Sequence, residues 1–365
     1  MKILNIFKFF DGPLLLASLL LLASGLTLMY TSSLANPTLA IFWRQLLFSG
    51  IGLCALFFMA TYNYHTLAKV NRVTYIVLLF LLIFVLVFGR SIRGSTRWID
   101  LGFFRLQPAE FAKLVVVIGL SRWFYLFRGQ INAWKNVLLT MALAGIPAIL
   151  VLVEPDLGSS MVIMAVWAGI LLVSPISKKR IAILVGVGIL CIALVWEFVL
   201  LDFQRNRLET FLDPNLDPRG KGYNVRQAII AVGSGQLFGR GLGKGLQSQL
   251  RFLPERQTDF IFATAAEEIG FVGSTTVVGL YALLLYRIYV VAKRSRDELG
   301  RYLGFGIFFL FLFQISVNIA MNIGMAPVTG IPLPLLSYGG SSLLVTLLAL
   351  GVVHNISWQS RALRF

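Results

Sequence analysis

Long apolar runs separated by short polar turns constrain this chain more than any other feature. Ten runs of membrane-span scale stand out, at 13–33, 42–62, 72–89, 108–127, 136–153, 157–174, 180–201, 260–290, 302–324 and 341–358. A helix needs about 20 apolar residues to cross a bilayer. Runs of that length exclude the roughly ten-residue alternation of an outer-membrane barrel. They predict an all-α polytopic membrane protein with about ten transmembrane helices in a single integral domain, 1–365. Composition agrees: 58% of the residues are hydrophobic and 13% charged, against about 45–50% and about 25% in soluble domains. Cys54 and Cys191 both fall inside apolar runs, which excludes a disulfide scaffold.

Lys2 and Lys8 precede the first run, and Ser33-Leu34-Ala35 after it imitates a cleavage site. The run exceeds the about 7–15 residues of a signal-peptide core, so it reads as an uncleaved anchor. The net charge of +16 reads as loop charge that sets topology and meets anionic lipid, with no nucleic-acid-binding pattern. Basic residues crowd one set of turns, with Lys178, Lys179 and Arg180 in one and Lys293, Arg294, Arg296 and Arg301 in another. By the positive-inside rule those turns are cytoplasmic, which gives an N-in/C-in chain. Most acids then fall on the outer side, where any chemistry is expected.

Four outer segments carry the polar chemistry. The turn after the third span holds Arg90, Arg93, Arg97 and Arg105 with Trp98 as an interfacial anchor; Pro108 then opens a helix on which Glu110 and Lys113 share a face. It is either a topological loop with an ion pair or the wall of a polar groove. Glu154-Pro155-Asp156-Leu157-Gly158 is a tight acidic turn, either solvated or part of a hard-cation site. Residues 202–259 form one large extracytoplasmic loop between spans seven and eight. Its Gly233-Ser234-Gly235 and Gly239, Gly241, Gly243 and Gly245 suit a flexible linker or a phosphate cradle, though no nucleotide P-loop is present. Gly324–Pro334 breaks a helix within apolar surroundings, Ser337-Tyr338-Gly339-Gly340-Ser341-Ser342 opens the last span, and Asn318 and Asn322 put two amides on the face leading there. His65 and His354 lie on the inner side and apart, so neither a triad nor a zinc site is expected.

The stretch from Lys244 to Gly270 joins the long loop to an apolar helix and places Glu255 and Asp259 beside Arg251 and Arg256. Carboxylates at the mouth of a membrane helix are costly to place and point to chemistry on an anionic substrate.

LPERQTDFIFATAAEEIG, RWIDLGFFRLQPAEFAK, EPDLGSS and PLPLLSYGGSS, in that order, resemble the SEDS family (shape, elongation, division and sporulation), most closely its elongation branch. The resemblance is collinear over almost the whole chain. It implies a peptidoglycan glycosyltransferase of the bacterial inner membrane that polymerises lipid II on the outer side, works with a class B penicillin-binding protein and other elongation-complex membrane proteins, and binds no nucleic acid. It implies support by a divalent cation, Mg²⁺ or Mn²⁺, with ligands left open, and no nucleotide. The family's essential aspartate falls on Asp259, and its functional Trp, Glu and Lys fall on Trp98, Glu110 and Lys113. The family's usual histidine before Thr-Asp is Gln257, and many relatives carry an acid where Arg251 stands.

The expected site has Asp259 as general base on the acceptor sugar hydroxyl, with undecaprenyl pyrophosphate as leaving group. Trp98, Arg97, Glu110, Lys113, Arg205, Lys244, Arg256, Ser337 and Tyr338 are the expected substrate-binding residues, and Glu255, Asp156 and Glu267 support them. Two rivals remain at this level: a lipid-precursor flippase or transporter, and a non-catalytic activator of a penicillin-binding protein. Paired half-helices with charges on both sides of the midplane would mark the flippase; here the polar groups concentrate outside.

Overall fold

The computed structural model describes residues 10–33, 39–92, 95–100, 102, 105–198, 221–250 and 252–361. A helix stands at each of the ten predicted runs: α1 (Gly12–Ser33), α2 (Ala40–Thr61), α3 (Tyr64–Phe88), α4 (Pro108–Leu126), α5 (Trp134–Val153), α6 (Leu157–Val173), α7 (Lys178–Phe198), α10 (Ile261–Lys293), α11 (Glu298–Asn322) and α12 (Gly340–Arg361). Two helices in the long loop, α8 (Lys221–Ser234) and α9 (Leu246–Gln249), complete the numbering. Among the described residues, seven helices are long and apolar enough to cross a membrane, and α6 is a shorter apolar helix. α4 is interrupted by Glu110, Lys113 and Arg122.

Helix starts deviate from the apolar runs where polar caps extend them. α3 begins at Tyr64 because Asn63 accepts the backbone N–H of His65, and α11 begins at Glu298 because Asp297 accepts that of Gly300. Pro108 opens α4 as expected. The segment before it, read from sequence as a loop, is a small antiparallel sheet: β1 (Arg90–Ile92), β2 (Ser95–Asp100) and β3 (Arg105–Leu106), with Arg90 opposite Trp98 and Ile99 opposite Leu106. Ile92, Thr96, Trp98 and Ile99 are strand-favouring residues set among charged ones.

The bundle is centred on α12 and α11. The apolar stretch of α12 is 78% buried and that of α11 56%, whereas α2 and α3 are each 22% buried and form the rim. α12 packs along α2, α11 lies between α10, α6 and α4, and α1 packs on α10. Asp11 N-caps α1 and also meets Arg287 of α10 at 2.5 Å and Arg361 of α12 at 2.7 Å. The described ends of the chain therefore meet at one end of the bundle.

The glycine-rich stretch of the long loop is neither a free linker nor an open cradle, because it is clasped to α10. Arg240 and Gly241 donate backbone N–H groups to the carbonyls of Glu267 and Glu268, and Phe271 and Val272 donate back to Gln236 and Leu237. Gly270 sits at φ 67° and ψ −168° inside α10, so the helix opens there and exposes backbone groups for the clasp. A Cβ on Gly239 would lie 2.2 Å from the Glu268 carbonyl oxygen, and one on Gly270 2.2 Å from the Gly239 nitrogen. The glycines are spent on backbone-to-backbone contact. Residues 199–220, including Arg205, and Arg251 lie outside the described residues.

Candidate active site

Four loop segments at the end of the bundle opposite Asp11 form one connected polar surface. At its centre is the turn from Leu253 to Phe260, which leads into α10. Asp259 stands just before the N-cap of that helix, where unsatisfied N–H groups favour a carboxylate. Its carbonyl oxygen accepts hydrogen bonds from two side-chain amides, Asn318 at 3.1 Å and Asn322 at 3.0 Å. Asn322 also accepts the N–H of Ala263 in the first turn of α10. Both asparagines are fully buried, so the pair fixes the backbone of Asp259 from α11. The Asp259 side chain is half-buried and faces Gly330, whose Cβ position is 3.7 Å from Oδ2. A carboxylate held by its backbone and reachable at its side chain suits proton transfer.

The broken segment before α12 closes over this turn. Ser337 donates its hydroxyl to the Thr258 carbonyl at 2.6 Å and accepts the Leu333 N–H at 2.8 Å, while the Tyr338 N–H donates to the Gln257 carbonyl at 2.8 Å. Only the backbone of residue 257 is used in that bond, so it places no demand on the Gln257 side chain. Gln45 of α2 donates to the Ser337 carbonyl and accepts the Gly339 N–H. Ser341 accepts the Gln107 N–H and donates to the Arg105 carbonyl, tying the sheet to the same place.

The acidic turn joins from the other side. Asp156 N-caps α6 through the Ser159 N–H and accepts the Gln107 side-chain amide at 3.1 Å. Arg97 of β2 donates to the carbonyls of Glu154 and Pro155, with a nitrogen 3.8 Å from the Asp156 carboxylate. A Cβ on Gly158 would lie 2.6 Å from the Thr329 carbonyl, so this turn packs directly on the broken segment.

The expected site residues separate into distinct surroundings. Asp259, Ser337, Tyr338, Asp156, Arg97 and, through β2, Trp98 belong to the connected surface. Glu255 adopts φ 51° and accepts the Thr258 hydroxyl at 3.2 Å, shaping the turn that presents Asp259. Glu110 and Lys113 form a 2.6 Å ion pair that is buried on both sides, so their direct role is to each other and to the start of α4. Arg256 is buried and donates to the Ser32 carbonyl at the end of α1. Glu267 is buried beneath the clasp and accepts the N–H groups of Gln247 and Ser248 at 2.7 and 3.0 Å, holding α9. Lys244 is exposed on the clasp itself.

Sequence reading missed Gln45 and Gln107 as contributors, and named Glu154 only within the acidic turn. Each was visible as a polar residue in or beside an apolar run. Glu154 is the most unusual: it is fully buried, and neither carboxyl oxygen has a hydrogen-bond partner among the described residues. Burial, reinforced by the charge of Asp156 and only partly offset by Arg97, pushes its pKa up to about 8 from an ordinary value near 4.5. Between those two values the folded protein holds a proton that the unfolded chain has lost, so stability falls as pH rises through that window. Glu154→Gln is expected to remove this dependence, matching wild type at pH 4 and melting higher above pH 8. Thermal unfolding in detergent across that range checks it, and an unchanged slope would contradict the assignment.

Comparison with known proteins gives the family. The FtsW/RodA/SpoVE model, described as a cell cycle protein family, matches residues 9–362. The chain belongs to this family, the SEDS membrane proteins. The peptidoglycan glycosyltransferase MrdB of Escherichia coli (strain K12) is 40% identical over 290 residues, covering 79% of this chain and 78% of that one. Stage V sporulation protein E of Bacillus subtilis (strain 168) is 35% identical over 361 residues, covering 96% and 98%. Among solved structures, a chain from a peptidoglycan synthase complex described as coordinating polymerization and crosslinking superposes with a TM-score of 0.82 at 30% identity, covering 96% of this chain and 98% of that one. The rod shape determining protein RodA of Thermus thermophilus superposes at 0.71 with 29% identity, covering 95% and 96%. The chain is thus a multi-pass membrane protein of a glycosyltransferase family.

Proposed function

We propose that this chain is a peptidoglycan glycosyltransferase that polymerises lipid II during cell elongation, with Asp259 as its general base. The observation that carries the reading is a half-buried carboxylate whose backbone is clamped by Asn318 and Asn322 at the meeting point of four polar segments. In the reaction, an Asp259 carboxylate oxygen takes the proton of the acceptor sugar 4-hydroxyl. The hydroxyl oxygen bonds to the anomeric carbon of the donor sugar, and the bond from that carbon to the pyrophosphate oxygen breaks. Undecaprenyl pyrophosphate leaves with the electron pair. Proton removal and positive charge near the leaving phosphates are the two requirements. Arg97, half-buried beside the acidic turn, and Lys244, exposed on the clasp, are the basic groups we assign to the phosphates.

No three His, Cys, Asp or Glu side chains come together in metal-binding geometry among the described residues. Mg²⁺ uses one or two carboxylates together with substrate phosphates, and the unpartnered carboxyl of Glu154 next to Asp156, once it has released its proton, fits that limited role. Glu154 and Asp156 would hold such an ion, which would supply charge to the leaving pyrophosphate.

We place the site on the extracytoplasmic side of the bacterial inner membrane, with basic turns cytoplasmic, and a class B penicillin-binding protein as partner. The likeness to a chain from a synthase complex supports that partner. The test is labelled lipid II given to the purified protein, alone and with the transpeptidase. Glycan chains that lengthen with time are expected. Transbilayer movement of intact lipid II without polymer would favour a flippase, and polymer dependent on the partner's own catalytic residues would favour an activator.

A further inference from the structure

At the end of the bundle opposite the candidate site, Asp11 at the start of α1 and the ends of α10 and α12 line a partly open pocket of about 100 Å³. Arg287, Arg294 and Arg361 line it together with the hydroxyl-bearing Ser357 and Ser360, and Asp11 is its one acidic lining residue among those described. Arg287 and Arg361 converge on the Asp11 carboxylate at 2.5 and 2.7 Å, and Asp11 itself is almost fully buried. One carboxylate against three guanidiniums leaves a local excess of positive charge. A cation in the last turn of a helix is favoured without any ligand, which accounts for Arg361 at the end of α12 and for Arg294 capping α10. It does not account for the pocket they share with Asp11 and Arg287. A cavity of this size takes a few water molecules, the scale of one phosphate group rather than of a sugar or a nucleotide. Guanidinium forks match phosphate oxygens in pairs, and basic pockets between membrane helices are suited to lipid head groups.

We propose that this cavity is a binding site for a phosphate group, supplied by an anionic phospholipid head group or by a phosphate in solution. Among the described residues Arg294 provides the main uncommitted charge, and Asp11 competes with the ligand for Arg287 and Arg361. The site lies about 40 Å along α10 from Asp259, given roughly 1.5 Å per helical residue, and its occupancy therefore does not depend on the assignment of the catalytic base.

The experiment uses the full chain in neutral detergent and follows thermal unfolding and lipid retention by native mass spectrometry. The probes are phosphatidylglycerol mixed micelles, phosphatidylcholine mixed micelles, and inorganic phosphate against chloride at equal ionic strength. Stabilisation and retention by phosphatidylglycerol but not phosphatidylcholine support the proposal with a lipid source. Stabilisation by inorganic phosphate beyond chloride supports it with a soluble source. Arg294→Gln, at an exposed side chain, is expected to weaken whichever ligand binds about fivefold, the effect of one basic side chain at an anionic surface. Asp11→Asn is expected to tighten binding while lowering the melting temperature. Two results would overturn the proposal: no probe stabilises the protein over its control, or Arg294→Gln binds the effective probe as wild type does.

Discussion

Asp259→Asn is expected to insert, fold and melt like wild type while its polymerisation of lipid II falls by about 10²–10⁴, the usual contribution of a positioned general base. The separation of fold from activity follows from how Asp259 is held. The main chain of this turn is held independently of the Asp259 carboxylate: the carbonyl accepts Asn318 and Asn322, and neighbouring carbonyls at Gln257 and Thr258 accept Tyr338 and Ser337. An asparagine keeps all of these main-chain bonds and removes the basic oxygen. The effect should fall on kcat with little change in KM, because a base acts mainly in the transition state. Measuring chain growth from labelled lipid II with the partner transpeptidase present gives the rate. Turnover within a few-fold of wild type would remove Asp259 from the mechanism and leave the half-buried Glu255, four residues earlier, as the carboxylate to examine.

Gly270→Ala is expected to have the largest effect on the fold. Two penalties coincide at this position. Its dihedral angles lie in a region open essentially to glycine alone, where strain costs about 1–3 kcal/mol. An added methyl would also meet three backbone atoms of residues 237–239 at 2.2–2.7 Å, none of which can move away as a side-chain tip does. The variant must either straighten α10 or release the clasp. Either change frees the carbonyls of Gln236 and Leu237 and unseats the stretch that places α9 over Glu267. The expected result is poor recovery from the membrane and new protease cleavage between residues 233 and 250. Gly279→Ala, nine residues further along α10 where an added methyl meets nothing within 4 Å, is the matched control. Equal protease resistance in the two variants would show that the clasp does not depend on Gly270.

The helices were legible because each requires a long apolar run, and every one of the ten runs became a helix. Asp259 was legible by its motif and by its place where polar loop gives way to Phe260 and Ile261. Asn318 and Asn322 announced themselves as amides on one helix face, although their target, a carbonyl of residue 259, has no side-chain signature. The clasp was illegible for the same reason: glycine marks permission for close approach without naming the partner. Gln45 and Gln107 are single polar residues, far in sequence from the serines and the aspartate they meet. The sheet was hidden because its strands are two to six residues long and its charges dominate the composition. Arg256 looked like a phosphate ligand from its neighbourhood in sequence, yet the turn at 253–260 points it at α1.

The segments that meet around Asp259 are contributed by residues near 97, 107, 156, 259, 318 and 337, and the last tie, from Ser341 to Gln107 and Arg105, forms only when the final helix is seated. Synthesis of this chain therefore makes its base long before it makes a catalyst. A ribosome-bound intermediate ending near residue 322 already contains Asp259 and both asparagines, but lacks the seryl and tyrosyl contacts that shape the turn. A competent site is thereby deferred until the segment from Leu333 to Ser341 has been made and α12 is seated, a timing control written into the order of the polypeptide.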